Sequence, residues 1–125
     1  MKGVILTGDA PRPVGAYSQG LVVGNLVFVA GQGPLDPVTG NPVGSTIEEQ
    51  TEAVLRNVGA ILAAAGATLD DVVKSTVHLA DLSLFGRFDS TYARFFSDPK
   101  PVRTTVGSAL DGILVEIDVI AYRIA

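Results

Sequence analysis

The stretch LVVGNLVFVAG, residues 21–31, predicts the start of a β-sheet. Two runs of apolar, β-favouring residues flank Gly24 and Asn25, and such a pair between two strand patterns predicts a two-residue hairpin turn. Apolar residues fill both sets of alternating positions, so both faces of the hairpin are hydrophobic. This pattern is typical of a sheet that is covered on both sides.

A long amphipathic helix is predicted after the hairpin and a turn-rich segment at 33–44. It spans residues 45–66, where apolar side chains recur at intervals of three and four residues. Ser45 or Thr46 can cap its start, with a glutamate three residues on completing a capping box. Gly66 stands where a helix commonly ends in a left-handed residue.

The second half of the chain repeats the change from strand to helix to strand. A strand is predicted at 72–80 from its β-branched residues, and a second helix at 83–96 from aromatic residues at helical spacing. Closing strands are predicted near 102–108 and 113–123. The segment ALDG, at 109–112, is predicted to join them as a second hairpin.

These elements predict a single α+β domain over residues 1–125, which begins with a short strand. Hairpins require antiparallel neighbours, whereas strand–helix–strand units favour right-handed crossovers between parallel strands. The combination predicts a mixed β-sheet with two helices packed on one face.

The composition limits the possible functions. Hydrophobic residues make up 47% of the chain and charged residues 18%, which indicates a core-rich protein. So few charges indicate either a thin polar coat or a surface partly hidden in an oligomer, and the second is favoured. The absence of cysteine and the single histidine, His78, exclude disulfides, thiol catalysis and Cys- or His-cluster metal sites. The net charge of −4 disfavours a nucleic-acid interface, and no stretch is long enough to span a membrane. A cytoplasmic protein is expected.

Residue parity sorts the two closing strands into faces, because side chains alternate along a strand. If the strands form a hairpin, Arg103 and Glu116 point to the same side of the sheet for both plausible turn lengths. The predicted core face carries Val102, Thr104, Val106, Ile113, Val115, Ile117 and Val119. The opposite face carries Arg103, Thr105, Gly107, Leu114, Glu116, Asp118, Ile120 and Tyr122.

Two interpretations of Arg103 and Glu116 follow. Opposite charges on an exposed sheet usually form a surface pair that contributes about 0–1 kcal/mol. The apolar residues on the same predicted face instead favour contact with another subunit. A partly buried arginine there requires a partner, and its planar guanidinium suits a carboxylate ligand.

Six blocks of the sequence, in order and across nearly the whole chain, resemble the signature segments of the RidA (YjgF) family of reactive intermediate, or enamine/imine, deaminases. The blocks are GAYSQG (15–20), AGQGPLDPVTG (30–40), QTEAVLRNVGAILAAAG (50–66), DDVVKSTVHLADL (70–82), PVRTTV (101–106) and VEIDVIA (115–121).

The resemblance implies a chorismate-mutase-like fold and a homotrimer with a central β-barrel, in which ligands bind between neighbouring subunits. It also implies hydrolysis of 2-imino acids, the tautomers of enamines such as 2-aminoacrylate, to 2-keto acids and ammonia without a cofactor. Arg103 would anchor the substrate carboxylate and Glu116 would activate water. Tyr17 would close the pocket, and the backbone at Gly31 would contact the ligand.

Three positions differ from the common family pattern. Thr105 stands where many members have cysteine, so this predicted ligand contact becomes a hydroxyl. Asp89 replaces a usual asparagine and adds a negative charge at the predicted site. Ala16 replaces a proline before the tyrosine of the pocket.

Three functions remain open at this point. The first is an imine deaminase, with a small imino or keto acid as its ligand. The second is a non-catalytic trimer that binds small 2-keto or amino acids through Arg103, as a sensor or partner module. The third is a ribonuclease or translation inhibitor, which the acidic charge balance and the lone His78 disfavour. His78 itself is interpreted as a surface strand residue without a role.

Overall fold

The computed structural model describes residues 1–124, which form a sheet of six strands and two helices. The elements are β1 (Lys2–Ile5), β2 (Gly20–Val23), β3 (Leu26–Gln32), α1 (Ile47–Ala64), β4 (Val72–Leu79), α2 (Phe85–Ala93), β5 (Val102–Gly107) and β6 (Val115–Tyr122). Strands follow the order β1-β2-β3-β6-β4-β5. The α+β class and the mixed sheet are confirmed. The sheet of one chain is open, so the barrel of three chains remains a prediction.

The predicted first hairpin is confirmed. Strands β2 and β3 pair antiparallel, with Val23 opposite Leu26 across the two-residue turn, and β1 extends the sheet on the outer side of β2. Local turn chemistry is sufficient to specify this part of the fold.

Helix α1 begins and ends where the sequence predicts. Thr46, rather than Ser45, is the cap: its hydroxyl accepts from the Glu49 amide at 3.1 Å, and the Glu49 carboxylate accepts from the Thr46 amide at 3.2 Å. Gly66 follows the helix at a φ of +75°, a conformation that costs glycine little. Its amide and that of Ala67 donate to the last turn, which closes the helix.

The predicted second hairpin is wrong. Strand β5 pairs parallel with β4, and β6 lies antiparallel between β3 and β4. The unit β4–α2–β5 is a crossover connection, which places its two strands parallel, and this replaces the hairpin geometry. Residues 108–114 then cross the end of β4, where Ser108 donates its amide to Leu79 and Leu114 accepts from Ala80, both at 2.9 Å.

This topology also inverts the predicted faces of β5. Ser75 of β4 is in register with Arg103 on one side and with the buried Val119 on the other. Arg103 therefore faces the helices, whereas Val102 faces away from them and is 66% exposed. The predicted core face is correct for Val115, Ile117 and Val119 but wrong for Val102, Thr104 and Val106. The prediction that Arg103 and Glu116 share a face is wrong.

The hydrophobic core lies between the sheet and the two helices. The apolar face of α1 and the predicted aromatic residues Phe88 and Tyr92 are buried against strands β3, β4 and β6. Complete burial of a side chain such as Phe88 contributes about 1.5–3 kcal/mol. None of the helices in residues 1–124 is long and apolar enough to cross a membrane.

Helix α2 is shorter than the predicted helix over 83–96: a separate turn at Leu82–Leu84 precedes it, and it ends at Ala93. Two ion pairs attach α2 to α1. Arg87 binds Glu48 at 2.7 Å, and Arg94 binds Glu52 at 2.9 Å. These contacts hold α2 beside the edge strand β5.

Protonation of Glu48 is expected to weaken the link between the helices. Arg87 donates to both carboxylate oxygens, at 2.8 and 2.7 Å, and this lowers the pKa of Glu48 from 4.5 to about 2. Because the folded pKa is the lower one, the pair stabilises the fold above about pH 4.5, and this contribution is lost as the pH falls towards 2. In thermal unfolding, Glu48→Gln should lower Tm at pH 7 and match the wild type near pH 2.

The matched control for this prediction is the same substitution in an Arg87→Gln background. There, the effect of Glu48→Gln on Tm should depend much less on pH, because the guanidinium that is the main cause of the lowered pKa is gone and only the weaker backbone hydrogen bond at Glu48 still lowers it. If the difference in Tm between the wild type and Glu48→Gln stays constant from pH 7 to pH 2, the proposed role of this pair is contradicted.

Candidate functional site

Arg103 lies on the edge strand β5 and packs against the aromatic side chains of α2. Its guanidinium carbon is 4.8 Å from the ring centre of Tyr92, 5.3 Å from that of Phe85 and 5.6 Å from that of Phe88. Rings at this distance attract a cation through their negatively charged faces. The aromatic stripe of α2, predicted as core, therefore also holds the arginine in place.

Asp89 completes the surroundings of Arg103. Nη1 of Arg103 donates to Oδ1 of Asp89 at 2.7 Å, and the two side chains are 20% and 47% exposed. A guanidinium has five N–H donors in a fixed planar arrangement, and this bond to Asp89 uses one of them.

Tyr92 is itself held by a hydroxyl group of strand β4. Its hydroxyl is 2.7 Å from the Ser75 hydroxyl on β4, and burial raises the pKa of Tyr92, so the phenol stays neutral. Thr105 follows Arg103 by two residues on the same face of β5, beside Val77. Arg103, Asp89 and Thr105, which we call the arginine half-site, thus lie together at the edge of the sheet.

Glu116 lies on β6, on the sheet face that points away from the helices. A Cβ atom added to Gly31 of the adjacent β3 would lie 2.6 Å from Oε2 of Glu116, so the carboxylate occupies the space that a side chain at Gly31 would fill. The register of β3 shifts between Val29 and Gln32, next to this contact. Such irregularities redirect side chains at functional sites.

Tyr17 lies on a loop that runs beside β3. The loop is held by the buried amide of Gln19, which accepts from the Thr7 amide at 2.8 Å and donates to Pro11 at 2.9 Å. The Gln19 carbonyl accepts from the Ala30 amide at 3.1 Å, which brings the loop to the residue before Gly31. Glu116 and Gly31 form the second group, which we call the glutamate half-site. Tyr17 lies on the loop that reaches the neighbouring Ala30, and its hydroxyl accepts from the Val14 amide at 3.1 Å.

His78, interpreted from the sequence as a surface residue without a role, lies directly opposite Glu116 in the register of β4 and β6. Its Nδ1 is 2.7 Å from the Ser108 hydroxyl. Asp118 lies on the same face, where burial raises its pKa although His78 and Lys74 act in the opposite direction. Only the pairing of β4 with β6 reveals this neighbourhood.

The two half-sites are separated within one chain. Two strand spacings and three residues along the strands lie between Arg103 and Glu116, which corresponds to about 14 Å between Cα atoms, and their side chains point to opposite faces. A ligand with three or four carbon atoms cannot contact both. The structure therefore brings the predicted site residues together as two groups rather than one.

No group of three or more His, Asp or Glu side chains that could hold a metal ion is found within residues 1–124. The chemistry available in the described residues is that of the guanidinium, the carboxylates, the hydroxyls and the imidazole.

Comparison with known proteins identifies the family. The profile of the family described as Endoribonuclease L-PSP matches residues 7–123. A RutC family protein from Pyrococcus horikoshii is 46% identical over 98% of this chain and 99% of its own. A 2-iminobutanoate/2-iminopropanoate deaminase from Rattus norvegicus is 38% identical over 98% of this chain and 91% of its own. The solved structure of RidA from a Psychrobacter species has a TM-score of 0.92 at 40% identity, covering 97% and 99% of the two chains.

The class defined by these features is an open-sheet α+β protein with an arginine anchored on its edge strand. The chain belongs to the RidA (YjgF, RutC) family, whose profile carries the Endoribonuclease L-PSP description. Some of its relatives are named deaminases, while others carry only the RutC family name.

Proposed function

We propose that this protein hydrolyses reactive 2-imino acids to 2-keto acids and ammonia, at a site shared between two subunits. The observation that carries the proposal is the Arg103 guanidinium, which is held by Asp89 and three aromatic rings while a fifth of the side chain stays exposed. A rigid, partly exposed guanidinium suits a small carboxylate, because the two planar groups can form paired hydrogen bonds.

Glu116 supplies the base in this proposal. A protonated imine is already electrophilic, so the reaction needs a positioned water rather than a covalent nucleophile. Water gives a proton to Glu116 as its oxygen bonds to the imine carbon, and the C=N π electrons move to nitrogen. The resulting aminol loses ammonia after Glu116 returns the proton to nitrogen, and the hydroxyl proton is lost as the carbonyl forms.

The two half-sites are too far apart within one chain to contact the same small ligand, so the proposed site is shared between two subunits. We infer that Arg103 of one subunit and Glu116 of a neighbour line the same cleft, with Tyr17 closing it and Thr105 adding a hydroxyl. The backbone at Gly31, beside the carboxylate, completes the ligand contacts.

The outer face of the sheet supports association. One row of side chains crosses all six strands on this face: Val4, Leu21, Phe28, Ile120, Lys74 and Val102. Val4 and Val102 at its ends are 72% and 66% exposed. Five of these six residues are apolar and Lys74 is the charged member of the row. The apolar members favour burial against other copies of the chain, and a homotrimer is the assembly that we propose.

The proposal is tested by generating 2-iminobutyrate or 2-iminopropionate in situ and following its loss. We expect the protein to accelerate hydrolysis, with the 2-keto acid and ammonia formed in equal amounts. No acceleration over buffer would overturn the deaminase proposal. Tight binding of 2-ketobutyrate without turnover would then support a non-catalytic binding protein, and RNA degradation by highly purified protein would support a ribonuclease.

Substitution of Gly31 by alanine is expected to reduce activity without loss of stability. The added Cβ would lie 2.6 Å from the Glu116 carboxylate oxygen, the mobile end of a side chain that can turn away. We expect kcat to fall about tenfold, because small displacements of a catalytic group are costly, while Tm changes little. In a Glu116→Gln background the same substitution should reduce kcat by a much smaller factor. Equal fold-reductions of kcat in both backgrounds would contradict the contact between Gly31 and Glu116.

A further inference from the structure

Arg103 does not stand alone as a positive charge, because a partly exposed carboxylate lies beside it. Asp89 lies 2.7 Å from the guanidinium and is nearly half exposed, so a ligand that reaches Arg103 also meets a carboxylate. The two formal charges offset each other, and a plain anion gains less from such a pair than from an isolated arginine. A ligand with adjacent positive and negative groups can interact favourably with both.

The other charged residues of α2 and of the segment that follows it have partners elsewhere. Arg87 is paired with Glu48 and Arg94 with Glu52, both on α1, and Lys100 beyond the helix is paired with Asp98. Asp89 is thus the carboxylate that shares the surface with Arg103. Within residues 1–124, no hydrogen bond to its Oδ2 is found, whereas Oδ1 accepts from Arg103.

We propose that Arg103 and Asp89 act together as a zwitterion-binding pair that discriminates between the substrate and the product of the reaction. This inference rests on the proposed deaminase function. A protonated 2-imino acid carries a cationic nitrogen one carbon away from its carboxylate, and an amino acid has the same charge pattern. The 2-keto acid product carries only the negative charge. Asp89 therefore attracts the substrate nitrogen, favours its protonated form, and promotes release of the product.

The test compares two probes with the same carbon skeleton, 2-aminobutyrate and 2-ketobutyrate, by titration calorimetry. The wild type should bind the amino acid more tightly than the keto acid. Asp89→Asn keeps the shape of the side chain and removes its charge, and we expect the ratio of the two Kd values to shift about tenfold towards the keto acid. In the turnover assay, inhibition by 2-ketobutyrate should become correspondingly stronger.

The controls separate this inference from the deaminase proposal. Asp98→Asn, which removes an exposed carboxylate beyond α2, should leave the ratio unchanged, and Arg103→Gln should weaken both probes. A ratio that stays within about twofold in Asp89→Asn overturns the pair, as does failure of the wild type to bind 2-aminobutyrate. Normal imine hydrolysis alongside either result leaves the deaminase proposal standing. The expected shift without any hydrolysis overturns the deaminase proposal and the discrimination between substrate and product, and leaves Arg103 and Asp89 as a zwitterion-binding pair.

Discussion

Arg103→Ala is expected to lower kcat/KM for 2-iminobutyrate by about 10²–10³-fold, since it removes a charged, bidentate contact that also orients the substrate. Arg103 donates to Asp89 and packs against aromatic rings, so the substitution also leaves Asp89 without its cation. Arg103→Lys keeps the charge but loses the planar donor arrangement, and it should recover only a small part of the activity. Initial rates of imine loss, measured over a range of substrate concentrations, give these values.

Arg56→Ala is the matched control, because Arg56 is an exposed arginine on α1 that pairs with Glu52 one helical turn away. This variant should keep wild-type kinetics. Equal kcat/KM values for wild type and Arg103→Ala would contradict the anchor.

Glu116→Gln is expected to reduce kcat by about 10²–10⁴-fold, the usual contribution of a general base, while KM changes little. The amide has nearly the shape of the carboxylate and can still occupy the space above Gly31, so the fold should be retained. Measurements of Tm and of the affinity for 2-ketobutyrate show whether the fold and the ligand site are retained. Loss of turnover with retained binding would assign Glu116 to the chemical step.

Asp118→Asn is the matched control on the same strand and the same face. Its carboxyl is partly buried, which raises its pKa, and its removal should affect kcat far less than the change at Glu116. A larger loss of kcat in Asp118→Asn than in Glu116→Gln would reassign the base.

Features encoded by neighbouring residues could be predicted from the sequence. The Gly24–Asn25 hairpin and the Thr46–Glu49 capping box depend on a few adjacent residues, and the structure confirms them. The buried aromatic residues of α2 follow from helical spacing in the same way. Local chemistry determines these features before any distant contact forms.

The position of β5 could not be predicted in this way. Two local rules conflict there: a short connection between β5 and β6 favours a hairpin, while the preceding helix favours a parallel crossover. The crossover is the one formed, and a change of strand partner moved Arg103 from the predicted outer face to the helix face. Alternation along a strand gives two sets of residues, but only the pairing tells which set faces the core.

Prediction of the site was limited for the same reason, because the strand order was not known. Residue types identified Arg103, Glu116 and Gly31 as candidates, and their division into two half-sites required the sheet order. The Asp89 contact depends on how α2 packs on β5, and the position of His78 depends on the pairing of β4 with β6. These are tertiary relationships that sequence spacing does not contain.

A mixing experiment tests the central claim, that Arg103 and Glu116 of different subunits form one site. Arg103→Ala and Glu116→Gln are each expected to be nearly inactive, and they are unfolded together, refolded at equal amounts and assayed for imine hydrolysis. Random assembly gives a site with both intact residues in about one quarter of cases, because each site takes one residue from each of two neighbours. We predict recovery of about a quarter of the wild-type rate, with none when the folded variants are mixed before assay. No recovery in mixed oligomers would contradict the shared site.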